Sequence, residues 1–290
     1  NWIAQIIQTP WKKTGIFILL KGDPGCGKTS PCEYMVDQLF GEHVSSIKNG
    51  LENVAEGFNS CLHRKLFINI NELSTIGKSS YHATFERLKS IITDGKLTLK
   101  RKYIPDSIQQ NYVNLIATTN NDFTLKIQEG NRRYAVFACS NKRVGDHQYF
   151  DNFHAQLRLP GVRNHIMSYF KLFKLNIDLR KIPTTDLGVD MVQASKSASV
   201  RFIENLDDIL LDIEEDDCYG GCRRPIRKYE DVAEKLISKD KLFGWFIQFC
   251  AREHETSVAS SVFFRQIKKF THSFQRKTIG NSRKRLIKLK

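Results

Sequence analysis

No apolar run in this sequence approaches the roughly 20 residues that a membrane-spanning helix needs, which excludes a helical membrane protein. No secretory signal pattern stands at the start. That second absence carries little weight, because the chain begins at Asn1 rather than Met, inside what reads as a helix over Trp2–Gln8. A longer parent polypeptide is therefore expected. Internal repeats and low-complexity tracts are also missing. Seven cysteines occur without regular spacing, and their odd number argues against a full disulfide framework. A reduced, intracellular protein is expected. No aspartate or glutamate occurs from Thr256 to Lys290, a stretch with ten lysines and arginines. Conversely, no base occurs from Glu204 to Asp217, which holds eight acids.

Net charge is +14 and the sequence pI about 9.4. The basic tail points to a polyanionic partner, nucleic acid first, against the plain alternative of a solvated basic end. The acidic run reads as a solvated linker or helix face. A length of 290 residues with 41% hydrophobic and 11% aromatic content supports a sizeable core and two domains, or one domain with appendages.

Residues Gly22–Thr29 read GDPGCGKT, a complete G-x-x-x-x-G-K-T, and the apolar run Gly15–Leu20 leads straight into it. Glycines let such a loop turn its N–H groups inward around a phosphate, and the following helix adds a partial positive charge. Gly22, Asp23, Pro24, Gly25, Cys26, Gly27, Lys28, Thr29 and Ser30 are the candidate nucleotide-binding residues. Lys28 is placed to reach the β- and γ-phosphates, and the Thr29 hydroxyl to hold Mg²⁺. ATP with Mg²⁺ is the expected cofactor pair.

Strands are predicted at Gly15–Leu20, Val44–Ile47, Leu66–Ile70, Val113–Thr118 and Tyr134–Ala138, and helices at Cys32–Phe40, Val54–Leu62 and Ala83–Ile92. Short apolar strands alternating with helices indicate an α/β fold with a parallel sheet covered on both faces. Between Asp94 and Asn111, Lys96, Thr98 and Lys100 alternate with Leu97 and Leu99, the pattern of a projecting hairpin. Helical patterns follow over Phe150–Leu175 and Leu187–Leu211, and a turn-rich joint over Cys218–Pro225.

Hydrolysis needs more than a phosphate cradle. The strand Leu66–Ile70 ends in Asn71-Glu72, where Glu72 would polarise the attacking water. Thr29, Asn71 and Glu72 form the candidate magnesium set, although an asparagine brings no charge where an acid is usual. The strand Val113–Thr118 runs on through Thr119 to Asn120, an amide able to touch both γ-phosphate and water. Arg132 or Arg133, in a turn before a strand, could complete a neighbouring subunit's site by neutralising transition-state charge.

The order GDPGCGKT, LFININEL (Leu66–Leu73), LTLKRKY (Leu97–Tyr103), NLIATTN (Asn114–Asn120) and NRRY (Asn131–Tyr134) resembles superfamily 3 helicases. The likeness is nearest to the helicase half of viral and phage primase–helicases, the poxvirus D5-like group, and covers about Trp2–Leu175. The resemblance implies an AAA+-like P-loop domain with a central, mostly parallel sheet, assembling as a hexameric ring around DNA. It implies ATP held between subunits, with Arg133, which directly precedes Tyr134, preferred over Arg132 as the finger. It also implies an upstream primase domain and a place in viral or mobile-element replication. At the hairpin tip, Lys100, Arg101, Lys102 and Tyr103 combine three cations with an aromatic that can lie on a sugar or base. In the family, a lysine followed by an aromatic here contacts the translocating single strand, and Lys102-Tyr103 match that pair.

Near the end, Leu242–His254 is amphipathic, and Ser260 or Ser261 is the expected cap of a helix over Val262–Thr271. Arg265, Lys268 and Lys269 lie on its outer face in this reading, and Arg276–Lys290 reads as a basic hairpin turning at Gly280-Asn281. Together these look like a small winged-helix-like module gripping forked or duplex DNA through phosphates. The expected division is 1–175 for the ATPase, 176–228 for a helical and acidic linker, and 229–290 for the winged-helix-like domain. Cys218, Cys222, Cys250 and His254 offer only a loose zinc spacing. The leading expectation is an ATP-driven DNA helicase motor. The alternatives are a nucleic-acid-stimulated ATPase that loads or remodels partners or acts on RNA, and a DNA-binding scaffold with weak ATPase.

Overall fold

The computed structural model describes residues 1–55, 57–73, 81–121, 125–176, 178, 181–206, 237–279 and 282–289. The chain divides into two units, Asn1–Ser195 and Lys196–Lys290.

The first unit is built on five strands: β1 (Phe17–Lys21), β2 (Ser45–Asn49), β3 (Phe67–Asn71), β6 (Asn114–Thr119) and β7 (Tyr134–Ala138). Their spatial order is β2-β3-β6-β1-β7, and every pairing is parallel. Side chains alternate between two covered faces, so the strands read as nearly continuous apolar runs. On one face Phe17, Leu19, Ile68, Ile70, Leu115 and Val136 pack with Phe85, Leu88 and Ile92 of α4 (Tyr81–Thr93). On the other, Phe67, Ile116 and Ala135 pack with Trp2 and Ile6 of α1 (Trp2–Gln8) and with Cys32, Met35 and Leu39. The last three belong to α2 (Thr29–Tyr34), which continues as a π-helical segment, Met35–Phe40. Gly41, at φ +81°, ends it by donating its N–H to the Val36 carbonyl at 2.9 Å.

The expected helix over Val54–Leu62 does not form. A single turn, α3 (Glu52–Ala55), is followed by Gly57 at φ +57° and a 3₁₀ turn, Ser60–Leu62. Gly57 releases the chain so that Asn59 can clamp the hairpin of β4 (Lys96–Arg101) and β5 (Ile104–Gln110). The Asn59 side chain donates to the Thr98 carbonyl at 3.0 Å and accepts the Lys100 N–H at 2.7 Å. This hairpin is a separate two-stranded sheet with Leu97 and Leu99 in the core and Lys96, Thr98 and Lys100 exposed. The helical stretch after β7 is two helices, α5 (His147–Leu157) and α6 (Val162–Leu172), parted at Gly161 with φ +86°. Next comes α7 (Asp186–Ser195), whose Met191 lies in the first unit's core although the sequence pattern assigns this stretch to the linker.

The second unit contains α8 (Ala198–Glu204), β8 (Ile237–Ser238), α9 (Lys239–Arg252), α10 (Ser260–Gln266), β9 (Thr271–Ile279) and β10 (Ser282–Leu289). Its antiparallel sheet has the order β8-β10-β9. Phe202, Phe246, Phe263 and Ile287 are fully buried, with the Phe246 and Phe263 rings stacked at 4.5 Å between centroids. Ala259, not Ser260 or Ser261, stands at the N-cap of α10, and the helix tightens into a 3₁₀ turn at Ile267–Phe270. The Gly280-Asn281 turn and most of the acidic run lie outside the described residues.

Candidate functional site

Because all five strands of the sheet are parallel, their carboxyl ends share one edge. Register aligns them closely: Lys21 pairs with Thr119 and with Ala138, and Ile70 with Ala117. Gly22, Asn71, Asn120 and Cys139 therefore leave the sheet side by side. A crevice at the carboxyl ends of such strands is where open α/β sheets bind ligands.

The loop Gly22–Lys28 connects β1 to α2. Asp23, Pro24 and Gly25 are exposed, and Cys26 through Ser30 half-buried. Gly25 and Gly27 sit at φ +78° and +91°, conformations that open the cradle and that side chains resist. Gly27 is also packed closely: a Cβ there would lie 2.6 Å from the Phe150 ring of α5. Among the described residues the N–H groups of Gly25, Gly27 and Lys28 donate to no backbone carbonyl. Lys28 Nζ reaches back across the loop to the Asp23 carbonyl at 3.0 Å. A bound anion could take over that cation and those N–H groups.

At the tip of β3, Asn71 is half-buried and its Oδ1 accepts a hydrogen bond from Asn69 Nδ2 at 2.8 Å. Asn69 is fully buried, on the face of the sheet that α2 covers, and its own Oδ1 has no hydrogen-bond partner. Glu72 is exposed and adopts φ +53°, which for a residue with a long side chain is a strained, left-handed turn. The Leu73 N–H then returns to the Thr118 carbonyl at 2.8 Å. Thr119 is buried; its hydroxyl donates to the Leu73 carbonyl at 2.8 Å and accepts the Asn121 N–H at 3.1 Å. It thereby ties the β3 tip to the β6 tip and sets the exposed Asn120 between them.

Several neighbours of the loop carry no sequence signal. Cys139 follows β7, and a Cβ on Gly22 would lie 2.9 Å from Cys139 Cβ and 2.8 Å from Cys26 Sγ. Burial first, then the adjacent Cys26, raises the Cys139 thiol above its usual range. Asn141 donates to the Asp23 carboxylate. Ser30 Oγ lies 3.4 Å from His154 Nε2, beside a cavity of about 410 Å³ that Tyr34, Asp37 and Arg158 also line. Phe150 and His154 share one face of α5, four residues apart, a pairing that only the folded chain brings to the loop.

Arg132 and Arg133 are not part of this edge. They precede β7, and the Arg133 carbonyl accepts the Phe17 N–H at 2.7 Å, at the start of β1. Five residues of strand, about 16 Å, separate them from the loop of the same chain. Arg132 is exposed, whereas Arg133 is half-buried and its Nε has no hydrogen-bond partner.

The hairpin tip belongs to the separate two-stranded sheet. Tyr103 is 90% exposed at φ +61°, and Lys102 Nζ lies 4.8 Å from its ring centroid. A bulky aromatic held exposed in a left-handed turn costs roughly 1–3 kcal/mol, and Lys100 beside it is exposed. Arg101 is turned inward, donating to Ser107 Oγ at 3.1 Å. In the second unit Arg265 of α10 and Lys268 and Lys269 of the 3₁₀ turn after it are all exposed. Cys250 is buried in the aromatic core there, where burial raises its thiol, and His254 is exposed in a left-handed turn. Cys218 and Cys222 lie outside the described residues. Among the described residues no three metal-ligating side chains converge, and no helix is long and apolar enough to cross a membrane.

A family of unknown function, DUF5906, matches residues 20–133, from the end of β1 through the loop and both strand tips to the paired arginines. The chain is 32% identical over 141 residues to the DNA primase-polymerase of Nitratiruptor phage NrS-1, covering 49% of this chain and 19% of that protein. The sequence is thus related to a phage replication protein while spanning about a fifth of its length. The apo C-terminal region of NrS-1 superposes over 100% of this chain and 70% of its own length, at 20% identity and a TM-score of 0.69. Its A-form apo structure gives 0.66 at the same identity and coverage. These likenesses establish a shared α/β fold.

Proposed function

We propose that this chain is the ATP-driven motor of a phage-type DNA replication protein, of the superfamily 3 helicase kind. The observation that carries the reading is the convergence of Gly22–Thr29, Asn71-Glu72 and Asn120 on one edge of a parallel sheet. The loop fits a triphosphate: two left-handed glycines, N–H groups that no backbone carbonyl engages and a lysine now held by a carbonyl are what such a group would engage. ATP with Mg²⁺ would supply the phosphoanhydride bond and the neutralising cation. Lys28 and the loop N–H groups would hold the phosphates, and Thr29 would present a hydroxyl to the metal. Glu72 would orient and deprotonate water, and Asn120 would hold that water and sense the terminal phosphate.

An arginine about a strand's length from its own loop can act only on another copy's nucleotide, which supports a ring with sites between subunits. Exposure favours Arg132 over Arg133 for that reach. Lys102 and Tyr103 would grip one DNA strand, and α10 with the β9–β10 hairpin, as a winged-helix-like module, would hold the fork. Relationship to a phage primase-polymerase supports DNA as the track. Unwinding of a forked DNA by the assembled chain with ATP and Mg²⁺ tests the reading. Loss of unwinding in Lys102→Ala with ATP turnover kept is expected, and unwinding at the wild-type rate would remove the hairpin from the mechanism.

One observation favours a second reading, a DNA-binding ATPase of low turnover. Asn71 lacks charge, and its amide oxygen is already engaged by Asn69. Mg²⁺-dependent turnover that falls on Glu72→Gln would exclude it.

A further inference from the structure

On the edge of the sheet opposite the loop lies a groove of about 660 Å³. Trp11, Val44, Arg64, Lys65, Gln109 and Tyr112 line it, drawn from the segments that precede β1, β2, β3 and β6 and from the end of β5. We propose that this groove is a second binding site, for single-stranded DNA, with a base on Trp11 and a backbone phosphate on Arg64.

Trp11 is 70% exposed and Tyr112 is 41% exposed. Two large aromatics open to water beside a cation form a stacking platform with a phosphate partner, the combination that binds unpaired bases without sequence preference. A duplex has both faces of its bases covered and cannot use such a platform, which selects single strands. The walls are fixed before any ligand arrives. Gln109 accepts the Arg64 N–H at 3.3 Å and donates to the Leu62 carbonyl at 3.1 Å, welding the hairpin base to the turn before β3. Arg64 itself holds φ +54°, is exposed, and makes no ion pair among the described residues. Lys65 Nζ donates to three backbone carbonyls, those of Glu42, His43 and Ser45, the last two at 3.4 and 2.8 Å, which pins the turn before β3 to the start of β2. Burial, then the charge of Lys48, lowers Lys65 from the ordinary lysine range, with Glu42 and Cys61 opposing.

Gln109 and Gln110 stand at the base of the hairpin whose tip carries Lys102 and Tyr103. The hairpin thus spans two candidate DNA contacts. The groove stands on its own residues and does not require nucleotide binding at Gly22–Thr29.

Trp11 supplies its own readout, because Trp2 is buried and Trp245→Phe removes the remaining tryptophan. In that background, titrating the full chain with oligo-dT should quench the Trp11 emission. Trp11→Leu should weaken oligo-dT binding by about tenfold, a typical stacking loss, with an unchanged melting temperature. Arg64→Ala should lower affinity severalfold and flatten the log–log salt dependence by about 0.7 for each phosphate no longer neutralised. The quench should persist in Lys28→Ala and in Lys102→Ala, which separates failure of the groove from failure of the motor. Unchanged emission with oligo-dT, or wild-type affinity in Trp11→Leu, overturns the proposal. A blue shift that follows protein concentration without DNA also overturns it and assigns the groove to a second copy of the chain.

Discussion

At the carboxyl ends of β1, β3 and β6 the chain has glycines, lysines, asparagines and one strained glutamate. At the amino ends of the same sheet it has Trp11, Arg64, Tyr112 and Arg132, large side chains open to water. Strand polarity explains part of the contrast. Small residues at the carboxyl edge let backbone N–H groups and a helix start approach a phosphate. At the amino edge the exposed groups are large side chains, so recognition there falls to side chains. In the proposed ring one edge supplies most of a nucleotide site, and the other supplies the arginine a neighbour needs.

The largest effect expected from breaking this division is at the amino edge. Arg132→Ala should cut ATP turnover of the assembled chain about 10³-fold, the scale set by removing an arginine finger, while ATP affinity at low protein concentration stays within a factor of two. An equal loss from Arg133→Ala, with Arg132→Ala silent, would reassign the finger. Glu72→Gln should lower turnover roughly 10²-fold and leave ATP binding intact, as measured by steady-state phosphate release beside nucleotide titration. Gly27→Ala forces a Cβ into Phe150 at φ +91°. It should cost about 1–3 kcal/mol of stability and weaken ATP binding, with Phe150→Ala restoring part of the binding.

A pH dependence is expected at the amino edge. Burial lowers Lys13, just before β1, to about 7 despite the opposing pull of Asp94, and its Nζ donates to the Ile91 carbonyl. Below pH 7 the folded chain carries a buried charge. Between pH 7 and 10.5 the folded state loses that proton before the unfolded state does, so stability rises with pH across this window. Denaturant titrations should show a rise of at most about 1.4 kcal/mol per pH unit, which Lys13→Met removes.

Much of the carboxyl edge is legible in the sequence, because each element there is an apolar strand running directly into its polar tip. Gly22–Thr29, Asn71-Glu72 and Asn120 announce themselves in this way. The pairing that aligns those tips is long-range, and so are Phe150, His154 and Cys139, which α5 and β7 bring to the loop. Asn69 is visible in the sequence only as a polar residue inside an apolar strand, and the fold gives it burial against α2. Helix periodicity over Val54–Leu62 yields to Gly57 and to the hydrogen bonds Asn59 makes with the hairpin. The amino edge is nearly invisible by comparison. Its groove gathers residues from several separate segments, and the remoteness of Arg132 from its own loop follows only from β7 pairing parallel to β1.

The proposed motor depends first on Gly22–Thr29 binding a nucleoside triphosphate. Calorimetric titration of the wild-type chain and of Lys28→Ala with ATP and Mg²⁺ tests it most directly. Saturable one-site binding is expected in the wild type, weakened at least tenfold in Lys28→Ala with an unchanged melting temperature. Equal affinities in the two proteins, or no binding in either, would contradict it.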